Sequence, residues 1–243
     1  MTKMKRSKPD LTIIIPAYDE EECIHEAISE TFKTLTRTNI KSELIVVDDG
    51  SKDRTLAICK SFQKNFQKNF QRKFNFKIIR LKKNNGYSKA LEVGFLAASG
   101  EYITYIDADL QYPPSEILKL YAEAVKHDAE FVLGSATNKG YGFLRKSVSR
   151  IYNALVNLLF GTDVRDVHCK RVFKRSLIDI DRISVLYGLI DLQLLLLAIR
   201  EKTVIRQVPI KINPRKCGKS KFNLKLIVLT LINLFRLKKA FPK

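Results

Sequence analysis

The chain has 243 residues, of which 45% are hydrophobic and 28% are charged. These values are typical of a globular chain with one good-sized core and exclude a disordered protein. Its 44 Lys and Arg residues against 25 Asp and Glu residues give a formal net charge of +19. Such an excess favours an anionic partner, which can be a nucleic acid, a membrane surface or a phosphorylated substrate.

The four cysteines are widely spread and form no Cys-x-x-Cys pair: Cys23, Cys59, Cys169 and Cys217. This spacing argues against a zinc site and a disulfide framework and suits a reducing cytoplasm. The apolar run at residues 11–15 is too short for a signal peptide. No apolar stretch reaches the ~18–20 residues that a bilayer span needs. We therefore expect a cytoplasmic protein that is soluble or lies on a membrane surface.

Strands and helices alternate through the first half of the chain, after a basic arm over residues 1–10 that we expect to be disordered. Apolar, β-branched runs predict strands at residues 11–15, 44–47, 76–81, 102–106 and 130–133. The segments between them predict helices, the second of them after a cap at Asp53 and the fourth from Pro114 to about His127. This alternation predicts a mainly parallel sheet with helices on both faces.

A four-residue repeat lies in the second predicted helix. Residues 63–66 and 67–70 both read Gln-Lys-Asn-Phe, and residues 71–74 read Gln-Arg-Lys-Phe. Phe62, Phe66 and Phe70 therefore follow a slowly drifting stripe along the helix. We interpret the repeat as an extension of a surface helix, because its basic–aromatic alternation matches no known nucleic-acid stacking module.

The pattern becomes less regular after Gly134. It predicts an amphipathic helix at residues 143–160, a short strand near 166–173, an apolar helix at 188–201 and a strand at 204–212. A basic, glycine-containing loop at 215–221 leads to a last apolar helix at 224–237. The apolar residues of this helix recur at helical spacing: Leu224, Ile227, Val228, Leu231, Leu234 and Phe235. With its basic residues (Lys225, Arg236, Lys238 and Lys239), this spacing predicts an amphipathic helix on an anionic membrane surface, or else one packed on the domain.

Acidic side chains follow three of the predicted strands. The pairs are Tyr18 with Glu20, Asp48 with Asp49, and Asp107 with Asp109. The carboxyl ends of parallel strands share one edge of a sheet, where ligands bind. Clustered carboxylates need a cation or a hydrogen-bonding ligand between them. Asp107 and Asp109 therefore predict a site for a hard divalent cation whose other ligands are phosphate oxygens and water.

Four motifs, in order, resemble those of glycosyltransferase family 2. They are Pro-Ala-Tyr-Asp-Glu at 16–20, Val-Asp-Asp-Gly-Ser at 47–51, Asn-Gly with Lys-Ala at 85–90, and Asp-Ala-Asp-Leu-Gln with Pro-Pro at 107–114. Within the family, the chain looks most like the polyprenyl- or dolichyl-phosphate hexose synthases. The resemblance implies a GT-A nucleotide-sugar-binding domain over residues 11–222, followed by the amphipathic helix at 223–243.

The resemblance also implies roles for particular residues. Asp107 and Asp109 would bind Mg²⁺ or Mn²⁺, and Asp191, Arg215 and Lys221 would complete the catalytic set. The remaining nucleotide-sugar contacts would come from the motif positions Pro16, Ala17, Tyr18, Glu20, Val47, Asp49, Lys89, Ala108 and Gln111. Arg215 and Lys221 match an Arg-x-x-Gly-x-Ser-Lys element that resembles a phosphate clamp.

The chain departs from the family pattern at several positions. Asp19 replaces the usual Asn, and Gln193 replaces a Glu. Ala136 stands where an Arg commonly closes Gly-Ser-Arg, so that Lys139 or Arg145 would have to supply that phosphate contact. Lys170 stands where a glycine-containing turn is expected.

These observations predict an inverting glycosyltransferase that moves a hexose from GDP-mannose or UDP-glucose to a polyprenyl or dolichyl phosphate. We expect it on the cytoplasmic face of a membrane, with a membrane-embedded partner subunit left open. The alternatives are family 2 transfer to a glycan or protein, and a lapsed enzyme that serves as a nucleotide-sugar-binding scaffold. A nucleic-acid partner is not expected, because only the net charge suggests one and the clustered acids oppose it.

Overall fold

The structure is a computed structural model that describes residues 8–69, 74–137, 143–177, 183, 189–215 and 224–240. The strands are β1 (Leu11–Ala17), β2 (Ser42–Asp48), β3 (Phe74–Arg80), β4 (Tyr102–Tyr105), β5 (Phe131–Ala136), β6 (Arg171–Lys174) and β7 (Ile205–Ile210). The helices are α1 (Ile24–Thr36), α2 (Thr55–Asn69), α3 (Tyr87–Ala97), α4 (Pro114–Lys126), α5 (Phe143–Phe160), α6 (Ile190–Arg200) and α7 (Leu224–Ala240). The predicted strands and helices are therefore present, with their ends shifted by a few residues, most of all for β6, which begins at Arg171 and not near residue 166.

The strands form one seven-stranded sheet in the order β3-β2-β1-β4-β6-β5-β7. β6 runs antiparallel to its neighbours β4 and β5, and the other neighbouring strands are parallel. Every residue of β1, β2 and β4 is buried, as expected of parallel strands covered on both faces. The predicted α/β class with a mainly parallel sheet is confirmed.

One buried carboxylate ties the amino ends of the strands together. Glu43, the second residue of β2, accepts hydrogen bonds from Thr12 and from Ser99, and pairs with Lys77 at 2.6 Å. Burial alone would raise the pKa of Glu43, but the bonds from Lys77, Ser99 and Thr12 outweigh it and hold the pKa below its ordinary value. This edge of the sheet is structural and lies opposite the strand ends that carry the predicted site.

The phenylalanine just before the four-residue repeat packs against the core. The Phe62 ring meets Phe32, Phe76 and His25 edge-on, with centroid distances of 6.4, 5.8 and 6.0 Å. These contacts fix α2 against α1 and β3, each adding to apolar burial. The side chains of Phe66 and Phe70 lie outside the described residues, so the surface role of the rest of the repeat stays a prediction.

Helix α7 has two apolar faces. Leu234 and Leu237 are fully buried against the domain, and the Lys238 ammonium lies 5.4 Å from the centre of the Phe160 ring of α5. Val228, Ile232 and Phe235 instead face outward, Phe235 with 52% of its surface exposed. Packing on the domain is thus present, and a separate apolar face is left over. Among the described helices, none combines the length and apolarity required to cross a bilayer.

The cysteine spacing argues against a disulfide framework, but one cysteine does form a disulfide. Cys23, at the start of α1, is disulfide-bonded, and its partner lies outside the described residues. Cys59 and Cys169 are buried thiols, and burial raises the pKa of Cys59 to about 12. Sequence spacing could not reveal the bond because it joins cysteines that only folding brings together.

Candidate active site

The carboxyl ends of β1, β2, β4 and β7 and the amino end of the antiparallel β6 meet at one edge of the sheet. The register sets this alignment: Ala17, the last residue of β1, lies beside Asp48, the last residue of β2. The chain continues from β4 with Ile106, whose N–H donates to Ile14 of β1. The strand-end acids predicted from the sequence are therefore on one edge, as the topology requires.

Asp49 organises the loop that opens α3. Its side chain is buried, and its two carboxylate oxygens accept the backbone N–H groups of Asn85 at 2.9 Å and Gly86 at 2.7 Å. The neighbouring Gly50 has φ +74° and lies so close to the Lys83 backbone that a Cβ there would come within 2.6 Å of it. Only glycine fits this approach. Two of the predicted motifs, at 47–51 and 85–90, are thus joined directly.

The loop after β1 is fastened to the start of α2. Asp19 has φ +52° and its N–H donates to the Ser51 hydroxyl, while the Glu20 N–H donates to Thr55 at 2.8 Å. Aspartate tolerates the left-handed region nearly as well as asparagine does. The departure at Asp19 therefore leaves the loop geometry intact. Pro16, Ala17 and Val47 are buried beneath this loop, and Tyr18 and Glu20 are half-buried on it.

The Asp-Ala-Asp turn follows β4 directly. Asp107 is partly exposed, and Asp109 is buried, with Oδ1 accepting the Gln111 N–H at 3.0 Å. Between them and Gln111, Leu110 adopts φ +54°. A non-glycine residue in this region costs about 1–3 kcal/mol and persists only where its surroundings hold it. Ala108 is buried behind the two acids.

Arg215 reaches this turn from the segment after β7. Its guanidinium lies 3.0 Å from Asp109 Oδ2, and the Asn213 N–H donates to the Gln111 carbonyl at 2.8 Å. The hydrogen bond anchors the segment that carries Arg215. The structure therefore brings Arg215 from a distant part of the sequence to the motif that holds Asp109 and Gln111. Lys221, predicted beside Arg215, lies outside the described residues.

Lys170 is the main site residue whose role the sequence did not reveal. It precedes β6, and its ammonium lies 2.8 Å from Asp107 Oδ1 and 3.3 Å from the Tyr87 hydroxyl. The rings of Tyr105 and Tyr112 lie 4.6 and 5.2 Å from the same ammonium. In the sequence, the only signal was a lysine in place of a turn residue.

Asp191 lies in a buried network next to these tyrosines. Its carboxylate accepts a hydrogen bond from the Tyr105 hydroxyl. Arg171 donates a hydrogen bond to the Asp191 backbone carbonyl and lies 3.4 Å from the Asp191 carboxylate. His168 stacks on Tyr152 and lies 3.6 Å from Asp191. Burial would raise the pKa of Asp191, but Arg171 and then His168 hold it well below its usual range. This position suits a residue that fixes Tyr105 and Arg171.

Lys89, predicted to contact the nucleotide sugar, is paired within its own helix. The Lys89 ammonium pairs with Glu92 of its own helix at 2.8 Å. Of the two residues proposed to replace the missing Arg, Lys139 and the side chain of Arg145 both lie outside the described residues.

The two carboxylates of the Asp-Ala-Asp turn fit a divalent cation. The pKa of Asp109 is raised, first by burial and then by the charge of Asp107, so a cation at this turn would relieve their repulsion. Carboxylate oxygens are the ligands that Mg²⁺ and Mn²⁺ take. Among the described residues, no group of three His, Cys, Asp or Glu side chains could hold a metal by itself. The remaining ligands would have to be substrate oxygens and water.

The mainly parallel sheet with acids at its strand ends gives this chain the GT-A architecture. Its structure matches glucosyl-3-phosphoglycerate synthase from Mycobacterium tuberculosis, solved in complex with phosphoglyceric acid, with a TM-score of 0.72 and 18% identity over 97% of this chain and 81% of that one. The same enzyme in complex with Mn²⁺, uridine diphosphate and glucosyl-3-phosphoglycerate matches with a TM-score of 0.71, at the same identity and coverage. At this identity the likeness establishes the fold alone.

The chain belongs to glycosyl transferase family 2, whose model matches residues 12–180. It is 28% identical over 237 residues to the undecaprenyl-phosphate 4-deoxy-4-formamido-L-arabinose transferase of Sodalis glossinidius. That alignment covers 96% of this chain and 68% of the Sodalis protein. It is 31% identical over 171 residues to the transferase of the same name from Proteus mirabilis. This alignment covers 70% of this chain and 50% of the Proteus protein. The chain thus spans between half and about two thirds of these relatives.

Proposed function

We propose that the protein transfers a sugar from a nucleotide sugar to a polyprenyl phosphate, with inversion at the anomeric carbon. The observation that carries the proposal is the meeting of Asp107, Asp109 and Arg215 at the carboxyl edge of the sheet. The relatives named above act on undecaprenyl phosphate, which supports the acceptor class. The hexose of GDP-mannose or UDP-glucose remains the finer proposal for the donor, beside the 4-formamido-arabinose of those relatives.

Each part of the donor has candidate contacts at this edge. We assign the nucleoside to the loop that Asp49 fastens and to Pro16, Tyr18, Glu20 and Val47. Asp107 and Asp109 would hold Mg²⁺ or Mn²⁺, which when bound neutralises the negative charge that develops on the leaving diphosphate. Arg215 lies beside Asp109 and supplies a second, fixed positive charge.

Attack by the acceptor phosphate does not require a strong general base. A polyprenyl phosphate is already an anion near neutral pH, so the site must position it and neutralise its charge. Cationic side chains of the 215–221 loop suit that role. Asp191, which is tied to Arg171 and Tyr105, would act by fixing those neighbours, so we assign it a positioning role within the predicted catalytic set.

The exposed face of α7 suits a membrane surface. Val228, Ile232 and Phe235 are outward-facing apolar residues, and Lys239 lies one turn beyond. Apolar burial at the interface and about 1 kcal/mol per basic residue near anionic lipid would hold the enzyme where its acceptor is. We therefore propose a peripheral location on the cytoplasmic face of a membrane. A membrane-embedded partner subunit would compete for the same face.

A screen of donors and acceptors tests the function. The full chain is incubated with Mn²⁺ and GDP-mannose, UDP-glucose or UDP-4-deoxy-4-formamido-L-arabinose, each with a short polyprenyl phosphate or a glycan acceptor. We expect a glycosylated polyprenyl phosphate by mass spectrometry and none with Asp109→Asn. A glycosylated glycan instead would support family 2 transfer to another acceptor. Nucleotide binding without any product would favour a lapsed, scaffold-type protein.

A further inference from the structure

Lys170 is a buried cation built into the Asp-Ala-Asp site. Only 4% of its side-chain surface is exposed, and its ammonium lies 2.8 Å from Asp107 Oδ1. Its backbone is held as well, because the Lys170 carbonyl accepts the Gly134 N–H of β5 at 2.8 Å. An ammonium removed from water is costly unless its charge is matched and its protons are bonded. Lys170 therefore places a fixed positive charge beside Asp107 at the carboxyl edge of the sheet.

Aromatic rings surround the same ammonium. The Tyr105 and Tyr112 ring centres lie 4.6 and 5.2 Å from it, and the Tyr87 hydroxyl lies 3.3 Å away. The faces of aromatic rings attract cations. Asp191 holds the Tyr105 hydroxyl, so the network beneath the site also fixes the ring on which Lys170 rests.

The charges of the four closest groups cancel. Asp107 and Asp109 contribute two negative charges, and Lys170 and Arg215 contribute two positive charges at 2.8 and 3.0 Å from them. A diphosphate that approached the two carboxylates alone would be repelled. With both cations in place it meets a neutral centre with donors already oriented. Lys170 also occupies an oxygen of Asp107 that a metal ion would use.

We infer that Lys170 is a resident cation for the donor diphosphate: it supports nucleotide binding without a divalent ion and competes with that ion for Asp107. The inference rests on the proposed function, since it takes the ligand to be a nucleoside diphosphate. It predicts two effects of opposite sign when the ammonium is removed. Nucleotide binding without metal weakens, and metal binding without nucleotide strengthens. A residue that only supported the fold would weaken both.

Lys174, at the far end of the strand β6 that follows Lys170, provides a control with the same kinds of contact. Its ammonium also lies 2.8 Å from an aspartate, Asp128, and 6.0 Å from a tyrosine ring, that of Tyr102. Because β6 is antiparallel to β4, Lys174 lies at the opposite edge of the sheet. Lys174→Met therefore removes a similar ion pair away from the site.

The experiment measures two dissociation constants for the native chain, Lys170→Met, Lys170→Arg and Lys174→Met. UDP and GDP binding is titrated by calorimetry in EDTA and in Mn²⁺, and Mn²⁺ binding without nucleotide is followed by electron paramagnetic resonance. For Lys170→Met we expect nucleotide binding in EDTA to weaken about tenfold or more, as for the loss of a charge-assisted hydrogen bond. Mn²⁺ should bind several-fold more tightly. Lys170→Arg should keep nucleotide binding, and Lys174→Met should resemble the native chain.

The outcomes separate this inference from the proposed function. Native protein that binds nucleotide in Mn²⁺ but not in EDTA overturns the role of Lys170 and leaves the proposed function standing. Weaker Mn²⁺ binding in Lys170→Met, with a lowered melting temperature, assigns Lys170 to the fold and also overturns the inference. Native protein that binds neither nucleotide in either condition contradicts the proposed function, and the diphosphate role of Lys170 fails with it.

Discussion

Asp49 is the residue whose removal should affect the nucleotide site most selectively. Its carboxylate accepts two backbone N–H groups, at 2.9 and 2.7 Å, from the loop that opens α3. A hydrogen bond to a charged group contributes about 1.5–3 kcal/mol. Water can reach this partly exposed loop, so the lower value applies to each bond. Asp49→Ala should therefore cost about 3 kcal/mol of unfolding free energy, and Asp49→Asn, which keeps one acceptor, about half of that.

The same substitutions should weaken nucleotide binding. If the released loop has to be ordered again when the nucleotide binds, the free energy of one lost hydrogen bond, about 1.5 kcal/mol, is subtracted from the binding free energy. The dissociation constant then rises about tenfold. Calorimetry with UDP and GDP, in Mn²⁺ and in EDTA, measures the effect. The ratio of affinities in the two conditions should stay at the native value, because Asp49 is not a proposed metal ligand.

Glu43 serves as the control because it lies near the start of β2, whereas Asp49 directly follows the end of that strand. Glu43→Gln should lower stability by a comparable amount and leave the nucleotide dissociation constant unchanged. Equal weakening of nucleotide binding in Glu43→Gln and Asp49→Ala would show that general destabilisation is responsible. Unchanged binding in Asp49→Ala would refute the nucleoside assignment itself.

Three further predictions follow from the described contacts. The pKa of Glu43 is depressed below the ordinary glutamate value of about 4.3. Its stabilisation is therefore present above that pH and is lost as the pH falls through the folded pKa, so the difference in urea midpoint between native and Glu43→Gln should shrink below about pH 4. Arg215→Ala should lower transfer to a polyprenyl phosphate at least about tenfold, the worth of one charge-assisted bond, whereas Lys64→Ala, on the exposed face of α2, should not; equal rates would mean that bulk charge suffices. Phe235→Ser should reduce flotation with anionic liposomes, while Leu96→Ser, an exposed apolar residue of α3, should leave it intact; equal flotation of both would contradict a membrane role for α7.

Much of the fold could be predicted because burial leaves a strong periodic signal. Residues 13–15 of β1 and 44–47 of β2 read as unbroken apolar runs since parallel strands are covered on both faces. Pro114 and the helical spacing after it predicted α4 almost to the residue. The strand-end position of Asp107 and Asp109 followed from the order of strands and helices alone.

The partners of the site acids could not be predicted in the same way. Lys170 meets Asp107 across 63 residues of sequence, and only because β6 enters the sheet in the antiparallel direction. A lysine carries no periodic signal, so the sequence showed it merely as a departure from a pattern. The disulfide of Cys23 and the second apolar face of α7 likewise depend on tertiary contacts that no local pattern records.

The transfer reaction of Asp109→Ala is the most direct measurement of the central claim. The rate of labelled sugar transfer to a short polyprenyl phosphate is compared between native protein and the variant, in Mn²⁺ and in EDTA, using the donor found by the screen. We predict robust transfer by the native chain in Mn²⁺, a large loss in EDTA, and none by Asp109→Ala in either condition. Native-level turnover by Asp109→Ala, or full native activity in EDTA, would contradict catalysis at the Asp-Ala-Asp turn.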